Sequence, residues 1–391
     1  MSAVALTVFL VLLAHASFGQ ISDLPEFYAA ARMVLAGRGT DVYLLPQQLA
    51  AQQALFPALG QRMIGFFLLP FSLAWIVPIG WVPVEIVRYV WKALLLAALG
   101  LSLWLIKRVF QLDAKGTLWL ISVALFSGCA YEALRIDQIA FFLLLAWCTL
   151  IWALQADRPL IAAIMLSFLM LKPQEVLPFL VFLLGARRYR VLFLFAVCTA
   201  LVALVSFIEL GLPGVMNYQT LMASTVENSK YLQADISPTL RGQLYRLFPS
   251  AKSLWTVICS IIHLVALGYI FWAGRKFRRA AGWIQAGVLV AMPLGLVTTL
   301  YYFDYDLIVL LPALVVLMKP QLQDLIAPWQ LLLAMMGGLI FMLPFSIYIH
   351  YYYFLNEHGL INPNFWPLLV FSLWLIYFVN KNFKAFDLWV E

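Results

Sequence analysis

The sequence has few charged residues. Only 11% of its 391 residues are Asp, Glu, Lys or Arg, whereas 64% are hydrophobic. A soluble domain carries about 25% charged residues because its surface faces water, so this composition excludes an ordinary soluble fold. The apolar runs are long and lack the alternation of barrel strands. Because every backbone amide needs an internal partner in lipid, the sequence predicts an all-α, polytopic bundle of transmembrane helices.

Signatures of soluble enzymes are also missing. The sequence has no P-loop, no GxGxxG or GxSxG motif and no HExxH motif. The four cysteines lie in apolar runs without CxxC spacing, and the four histidines are scattered. We therefore predict no cofactor and no metal. The net charge of +7 comes from short basic clusters beside apolar runs, which is typical of cytoplasmic loops and gives no reason to expect a nucleic-acid partner.

The apolar runs predict about 12 membrane crossings within a single integral-membrane domain, with both termini in the cytoplasm. A first span at 3–19 is expected to stay uncleaved because no Lys or Arg precedes it. The basic clusters place two segments outside, 20–62 and 210–253. Seven apolar runs separate these segments, so one run must cross incompletely or merge with its neighbour. An incomplete crossing at 64–82 is preferred to a merged helix at 159–186, which would leave Lys107 and Arg108 outside.

The two external segments are predicted to differ in structure. Within the first, the stretches from Pro25 to Leu35 and from Pro46 to Ala58 are predicted as amphipathic helices on the bilayer surface. The second, 210–253, is the longest polar stretch and is predicted as a loop. Its aromatic, amide and acidic side chains suit a sugar, and they equally suit an ordinary solvated loop.

Ionisable residues beside the membrane are candidate functional residues because burying their charge is unfavourable. Asp23 and Glu26 follow the first predicted span. A carboxylate there loses hydration, which raises its pKa towards the range of a general base. The alternative is a solvated acid that marks the interface.

Lys172 lies between two short apolar runs that form either two short helices or one helix kinked at Pro173. A cation where half-helices meet suits a phosphate, and the alternative is a lysine that extends to the interface. The segment from Arg135 to Gln138 is a weaker signal. It offers an ion pair within the segment and an amide side chain, and the alternative is a simple tight turn between helices.

Other polar residues are expected on the same outer side. Asp304 and Asp306 lie between two apolar runs and suit a cation, sugar hydroxyls or a helix cap. His350, in a tyrosine-rich run, is a possible additional contact.

Four short blocks, in this order and spacing, resemble glycosyltransferase family 87, polytopic enzymes of the C-type glycosyltransferase (GT-C) fold. The blocks are Asp23-Leu24-x-x-Phe27-Tyr28, Asp137-Gln138, Leu171-Lys172-Pro173-Gln174 followed by Arg187-Arg188, and Ser237–Gly242 with Tyr305-Asp306-Leu307. The chain departs from the family pattern by having Asp137 where a glycine is common.

The resemblance implies an inverting transfer of a mannose- or arabinose-like sugar from a polyprenyl-phosphate-sugar donor, without a required metal. The acceptor would be a glycan or glycolipid at the outer face of the bacterial cytoplasmic membrane. Asp23 matches the proposed catalytic carboxylate, and Lys172, with Arg135 or Arg241, would bind the donor phosphate. The residues assigned to sugar or acceptor binding are Glu26, Tyr28, Gln138, Asp304, Asp306 and His350. The alternatives are a lipid or sugar transporter and a glycan ligase or polymerase.

Overall fold

The computed structural model describes residues 22–57, 65–227, 237–327, 330, 333 and 364–387. Within these ranges all regular structure is helical, with no β-strand. The α-helices are α1 (Leu24–Leu35), α2 (Leu45–Leu55), α3 (Leu73–Ile76), α4 (Val84–Val109), α5 (Ala114–Leu125), α6 (Gly128–Arg135), α7 (Ala140–Gln155), α8 (Pro159–Leu169), α9 (Pro173–Gly185), α10 (Tyr189–Glu227), α11 (Leu240–Leu247), α12 (Lys252–Phe277), α13 (Trp283–Thr298), α14 (Leu311–Leu317), α15 (Pro320–Gln323), α16 (Phe365–Lys381) and α17 (Phe383–Asp387). The 3₁₀ helices are Gly39–Asp41, Pro70–Ser72, Val77–Trp81, Pro249–Ala251 and Asp304–Leu310.

Several of these helices are long and apolar enough to cross a membrane. In the described part of the chain they are Val84–Val109, Tyr189–Ser224 and Pro249–Phe277, and α5 with α6 would make a fourth span bent by 49°. Helices α7, α8, α9, α13 and α16 are apolar but shorter. The predicted all-helical membrane protein is therefore confirmed at this level. The number of about 12 crossings stays a prediction, and the first span at 3–19 lies outside the described residues.

The apolar run at 64–82 forms a series of short helical turns, Pro70–Trp81, instead of one long helix. This stretch packs against α1: the Tyr28 hydroxyl donates to the carbonyl of Val82 at 2.7 Å, and Arg32 donates to the carbonyl of Gly80 at 3.1 Å. At about 1.5 Å per residue, the helical stretch Pro70–Trp81 is too short to cross a hydrocarbon core of about 30 Å. The incomplete crossing of 64–82 stays a prediction, because other apolar helices of the described chain are equally short.

The two helices predicted in the first external segment are present, but only α1 buries an apolar side. The buried residues of α2 are Gln48 and Gln52. Gln48 bridges two parts of the chain through its side chain. Its Nε2 atom donates to the carbonyl of Val42 at 2.6 Å, and its Oε1 atom accepts from the backbone amide of Phe66 at 2.8 Å. The amphipathic prediction for the second stretch is wrong in this respect, because the buried side chains of α2 are glutamines and its apolar residues Leu45, Ala51 and Leu55 are only partly buried against the core.

The predicted loop at 210–253 is helical over most of its described length. Helix α10 continues through it to Glu227, with a break at Gly211, where the backbone has φ 61°. The part after the break is tied to the first external segment, since the Asn217 amide donates to the carbonyl of Thr40 at 2.9 Å. The described residues of this segment are therefore mostly helical, and its position outside the membrane stays a prediction.

The pair of short runs around Lys172 is resolved as two helices. Helix α8 ends at Leu169 and α9 begins at Pro173, so Lys172 lies between them. Proline at the first position of α9 suits a helix start because its missing amide proton needs no intrahelical acceptor there.

Helices α9 and α12 pack closely because glycines lie at their contact. A Cβ atom on Gly185 would lie 2.1 Å from the backbone oxygen of Phe271, and one on Gly274 would lie 2.3 Å from that of Phe182. Such small residues let two helix backbones approach in membrane proteins, where dispersion contacts replace the hydrophobic effect between helices.

We expect Gly274→Ala to lower the free energy of unfolding by about 1–3 kcal/mol, because the new methyl group forces two backbones apart. Gly268→Ala, on the same helix, is the matched control: no atom lies within 4 Å of its added Cβ. The control variant should be as stable as the wild type or more stable, because alanine favours a helix more than glycine does. Thermal unfolding of the detergent-solubilised variants measures both, and equal stability of the two would contradict the close contact.

Candidate active site

Asp23 lies immediately before α1 and is held by the turn between α6 and α7. Its backbone amide donates to the carbonyl of Ile136 at 2.7 Å. Its carboxylate accepts a hydrogen bond from the side-chain amide of Gln138, a residue 115 positions away in the sequence. Asp23 itself is half-buried, whereas Gln138 is buried. The carboxylate therefore has a fixed orientation and one side on which a substrate could approach.

The surroundings of Asp23 favour its protonated form more than water does. Burial raises the pKa of this carboxyl above its ordinary value, and the negative charge of Asp137 adds to the increase. The hydrogen bond from Gln138 and the positive charges of Lys172 and Arg135 lower the pKa, but not enough to cancel the loss of hydration. A raised pKa makes Asp23 a better proton acceptor than a solvated aspartate.

Lys172, Asp306 and Glu175 form a buried charged cluster where α9 begins. The Lys172 ammonium lies 2.5 Å from the Oδ1 atom of Asp306 and 4.7 Å from the ring centroid of Tyr305. Among the described residues, the second oxygen of Asp306 and both carboxylate oxygens of Glu175 have no hydrogen-bond partner. Two carboxylates thus share one ammonium. Buried polar atoms are normally satisfied, so these oxygens are candidate acceptors for a water or a ligand hydroxyl.

Glu26, Tyr301 and Arg241 extend the site. Burial raises the pKa of the Glu26 carboxyl, and the nearby charge of Asp23 raises it further. The Tyr301 phenol interacts electrostatically with Asp306, Glu26, Asp23 and Arg241, so these groups share one region. The Arg241 side chain is buried, and its Nε atom has no hydrogen-bond partner among the described residues.

The structure thus brings together six of the predicted site residues: Asp23, Glu26, Gln138, Lys172, Arg241 and Asp306. Two others have local partners. Arg135 forms an ion pair with Glu132 at 2.8 Å, although its charge still acts on Asp23. Tyr28 is buried, and its hydroxyl already donates to Val82.

Asp304 has a hydrogen-bond partner outside this group, although its charge interacts with that of Asp306. Asp304 accepts a hydrogen bond from the Asn364 side chain at 2.8 Å, and burial raises the pKa of its carboxyl. His350 lies outside the described residues. The roles predicted for both residues stay predictions.

Sequence reasoning missed Glu175 and Lys92 as site residues, although a signal for each was present. Both are ionisable residues inside apolar helices, which makes a residue a functional candidate by default. Lys92 pairs with Asp137, beside Asp23, at 2.7 Å. Ser22, which donates to Asp137, carried no such signal.

Among the described residues, no group of three or more His, Cys, Asp or Glu side chains is arranged to hold a metal ion.

The sequence profile of glycosyltransferase family 87 matches residues 69–299, more than half of the chain. The chain belongs to this family. It is therefore a transferase, a membrane glycosyltransferase with a sugar donor and an acceptor as its substrates. Comparison with the curated proteins and with the solved structures gives no match.

We expect Lys172→Met to destabilise the protein by about 3–5 kcal/mol, because it leaves buried carboxylates without their cation. Asp306→Asn should also destabilise, and the double variant should lose less than the sum of the two. Urea unfolding in detergent, monitored by tryptophan fluorescence, gives the coupling free energy between Lys172 and Asp306.

The exposed pair of Arg38 and Asp41, at 3.4 Å, is the matched control. Its coupling should fall within about 0–1 kcal/mol, since solvent screens exposed charges. Additive effects at Lys172 and Asp306 would show that this buried pair contributes nothing to folding.

Proposed function

We propose that the protein transfers a mannose- or arabinose-like sugar from a polyprenyl-phosphate-sugar donor to a hydroxyl of a glycan or glycolipid, with inversion. The reaction would take place at the outer face of the bacterial cytoplasmic membrane, within a GT-C-type fold of about 12 crossings. The observation that carries this proposal is the Asp23 carboxylate, which is held by Gln138 in a half-buried site that also contains Lys172 and Arg241. A lipid-linked donor suits a chain without a nucleotide-binding motif.

The proposed reaction is a single displacement. Asp23 takes the proton of the acceptor hydroxyl as that oxygen attacks the anomeric carbon of the donor sugar. The bond between the anomeric carbon and the phosphate oxygen breaks, and polyprenyl phosphate leaves with the electron pair. One displacement from the opposite face inverts the anomeric configuration. The proton on Asp23 then passes to water.

The charge of the departing phosphate needs a cation, and the contacts favour Arg241 for this role. Lys172 is already paired with Asp306, and Arg135 with Glu132. Among the described residues, Arg241 forms no ion pair with a carboxylate. The groups that act on it are phenols and a thiol, and one of these phenols, that of Tyr245, also hydrogen-bonds to it. Its planar guanidinium also matches the oxygens of a phosphate. Lys172 would contribute from a distance while it compensates the buried acids.

The buried acids suit sugar hydroxyls. In the described part of the chain, Glu175 and Asp306 have carboxylate oxygens without hydrogen-bond partners, and the Tyr301 phenol interacts with Asp306. Glu26 and Asp306 therefore keep their proposed role in sugar or acceptor binding, and Glu175 joins them. Asp304 and Tyr28 keep it with less support, because each already has a hydrogen-bond partner. Gln138 is better explained as the residue that orients Asp23.

We expect Asp23→Asn to lower kcat at least about 100-fold, the contribution typical of a general base, while donor binding persists. In the wild type, the base works only when ionised, so the rate should fall as the pH drops through its raised pKa. The acid limb of the kcat profile should thus lie above 3.8, the value for an ordinary aspartate.

The measurement uses purified protein in detergent with a radiolabelled polyprenyl-phosphate-mannose or -arabinose donor, and counts released polyprenyl phosphate. Near wild-type turnover by a folded Asp23→Asn variant would remove Asp23 from the role of base. Movement of the intact donor across proteoliposomes without release of polyprenyl phosphate would instead indicate a transporter.

We expect Arg241→Gln to raise the donor KM about tenfold or more, since a charged hydrogen bond to phosphate contributes about 1.5–3 kcal/mol. Arg38→Gln, which removes an exposed cation from the first external segment, is the matched control and should leave the donor KM unchanged. An unchanged donor KM in Arg241→Gln would exclude the arginine from phosphate binding.

A further inference from the structure

Ser22, the residue before the proposed base, is bound to Asp137 by a buried hydrogen bond. We infer that Asp137 is a positioning residue, whose carboxylate clamps the segment carrying Asp23 onto the turn between α6 and α7. This inference rests on the proposed role of Asp23 as the general base.

Asp137 is bound through its side chain by two other segments. Its Oδ1 atom lies 2.7 Å from the ammonium of Lys92, and its Oδ2 atom accepts a hydrogen bond from the Ser22 hydroxyl at 2.6 Å. Arg88 lies 4.0 Å from the same Oδ2 atom. The side chain is fully buried. A buried carboxylate with this many donors is held in one position, because breaking one contact leaves a charge without compensation.

The backbone at Asp137 is anchored as well. The Trp91 indole donates to the carbonyl of Asp137 at 2.8 Å, and the Lys92 ammonium also donates to the carbonyl of Leu134. Asp137 has φ 62°, a left-handed conformation that glycine adopts freely and that Asp and Asn tolerate better than other residues. Helix α4 thus fixes a turn whose conformation is unfavourable for most residues.

These contacts form successive cross-links between two segments of backbone, the one before α1 and the turn between α6 and α7. Ser22 binds Asp137, the next residue Asp23 binds Gln138, and the Asp23 amide binds the carbonyl of Ile136. Because Ser22 and Asp23 are adjacent, as are Asp137 and Gln138, the first cross-link sets the distance over which the second forms. The Asp137 carboxylate therefore decides where the Asp23 carboxylate points.

Misplacing a catalytic group by about 1 Å can lower a rate about 100-fold, whereas binding of remote parts of a substrate is unaffected. Loss of the clamp should consequently lower kcat and leave the donor KM in place. A merely structural role for Asp137 would change the amount of folded protein and neither kinetic constant.

The first test is Ser22→Ala, which removes the hydroxyl but leaves the pair of Asp137 and Lys92 intact, so the protein should fold. We expect kcat to fall about tenfold and the donor KM to change less than about twofold. Ser102→Ala is the matched control: it removes another buried serine hydroxyl, bonded within α4 to the carbonyl of Ala98, and should leave kcat unchanged.

The second test compares Asp137→Asn with Asp137→Gly. Asparagine keeps an acceptor for Ser22 and tolerates the left-handed backbone, whereas glycine keeps only the backbone freedom. If the clamp matters, Asp137→Asn retains more kcat than Asp137→Gly. A fully active Asp137→Gly variant would show that position 137 requires only its backbone conformation, and would overturn the inference.

The pH profile of Asp137→Gly separates positioning from a direct charge effect. The described groups facing Asp23 are Gln138, Lys172, Asp137, Arg135, Glu26, Tyr301 and Tyr305. Removing the Asp137 charge alone lowers the pKa of Asp23 and moves the acid limb of kcat to lower pH. Losing the Gln138 hydrogen bond raises the pKa of Asp23, and this effect is larger than that of the Asp137 charge. A positioning role for Asp137 therefore predicts that the acid limb of kcat moves to higher pH.

A shift to lower pH with normal kcat would overturn the clamp and leave the role of Asp23 intact. The proposed role of Asp23 as the base fails if Asp23→Asn stays active, and transfer itself fails if the wild type releases no polyprenyl phosphate, so these failures are distinguishable from failure of the clamp.

Discussion

A charge buried beside a bilayer needs its partner inside the protein, and this constraint organises the described site. Lys172 pairs with Asp306, and Asp137 pairs with Lys92. Each pair joins segments far apart in the sequence, so pairing brings together parts of the chain that apolar packing alone would leave free to shift. Because a lone buried charge is far less stable than a paired one, these contacts make the local arrangement nearly all-or-none.

The site forms where helices begin. Asp23 directly precedes α1, Lys172 directly precedes α9, and Arg241 lies in the first turn of α11. The free backbone amides at a helix start carry partial positive charge, which favours an ionised carboxylate and a phosphate more than neutral groups. Short helices broken by proline thus provide both the positions of the side chains and part of the electrostatic field.

How far the sequence predicts the site depends on the range of each interaction. The membrane class, α1 and the break at Lys172 follow from composition, periodicity and proline, which act locally. The partners of Asp23 and Lys172 lie 115 and 134 residues away, and no local pattern encodes such a distance. Their motifs could be named in advance only because a family resemblance places them in one site. Glu175 shows the opposite case: an acid in an apolar helix was visible, but its neighbours were not.

The distribution of acidic and basic groups suggests which part of the site would bind phosphate and which would bind hydroxyls. Asp23, Glu26, Glu175 and Asp306 all interact with Lys172, so this single ammonium compensates several carboxylates. A phosphate brought close to that cluster would meet an ammonium that Asp306 already engages. The region around Arg241, where the interacting groups are phenols and a thiol, is the more favourable place for it. In the proposed reaction, phosphate on the arginine side and hydroxyls on the carboxylate side would keep the leaving group apart from the acids, one of which, Asp23, is the proposed base.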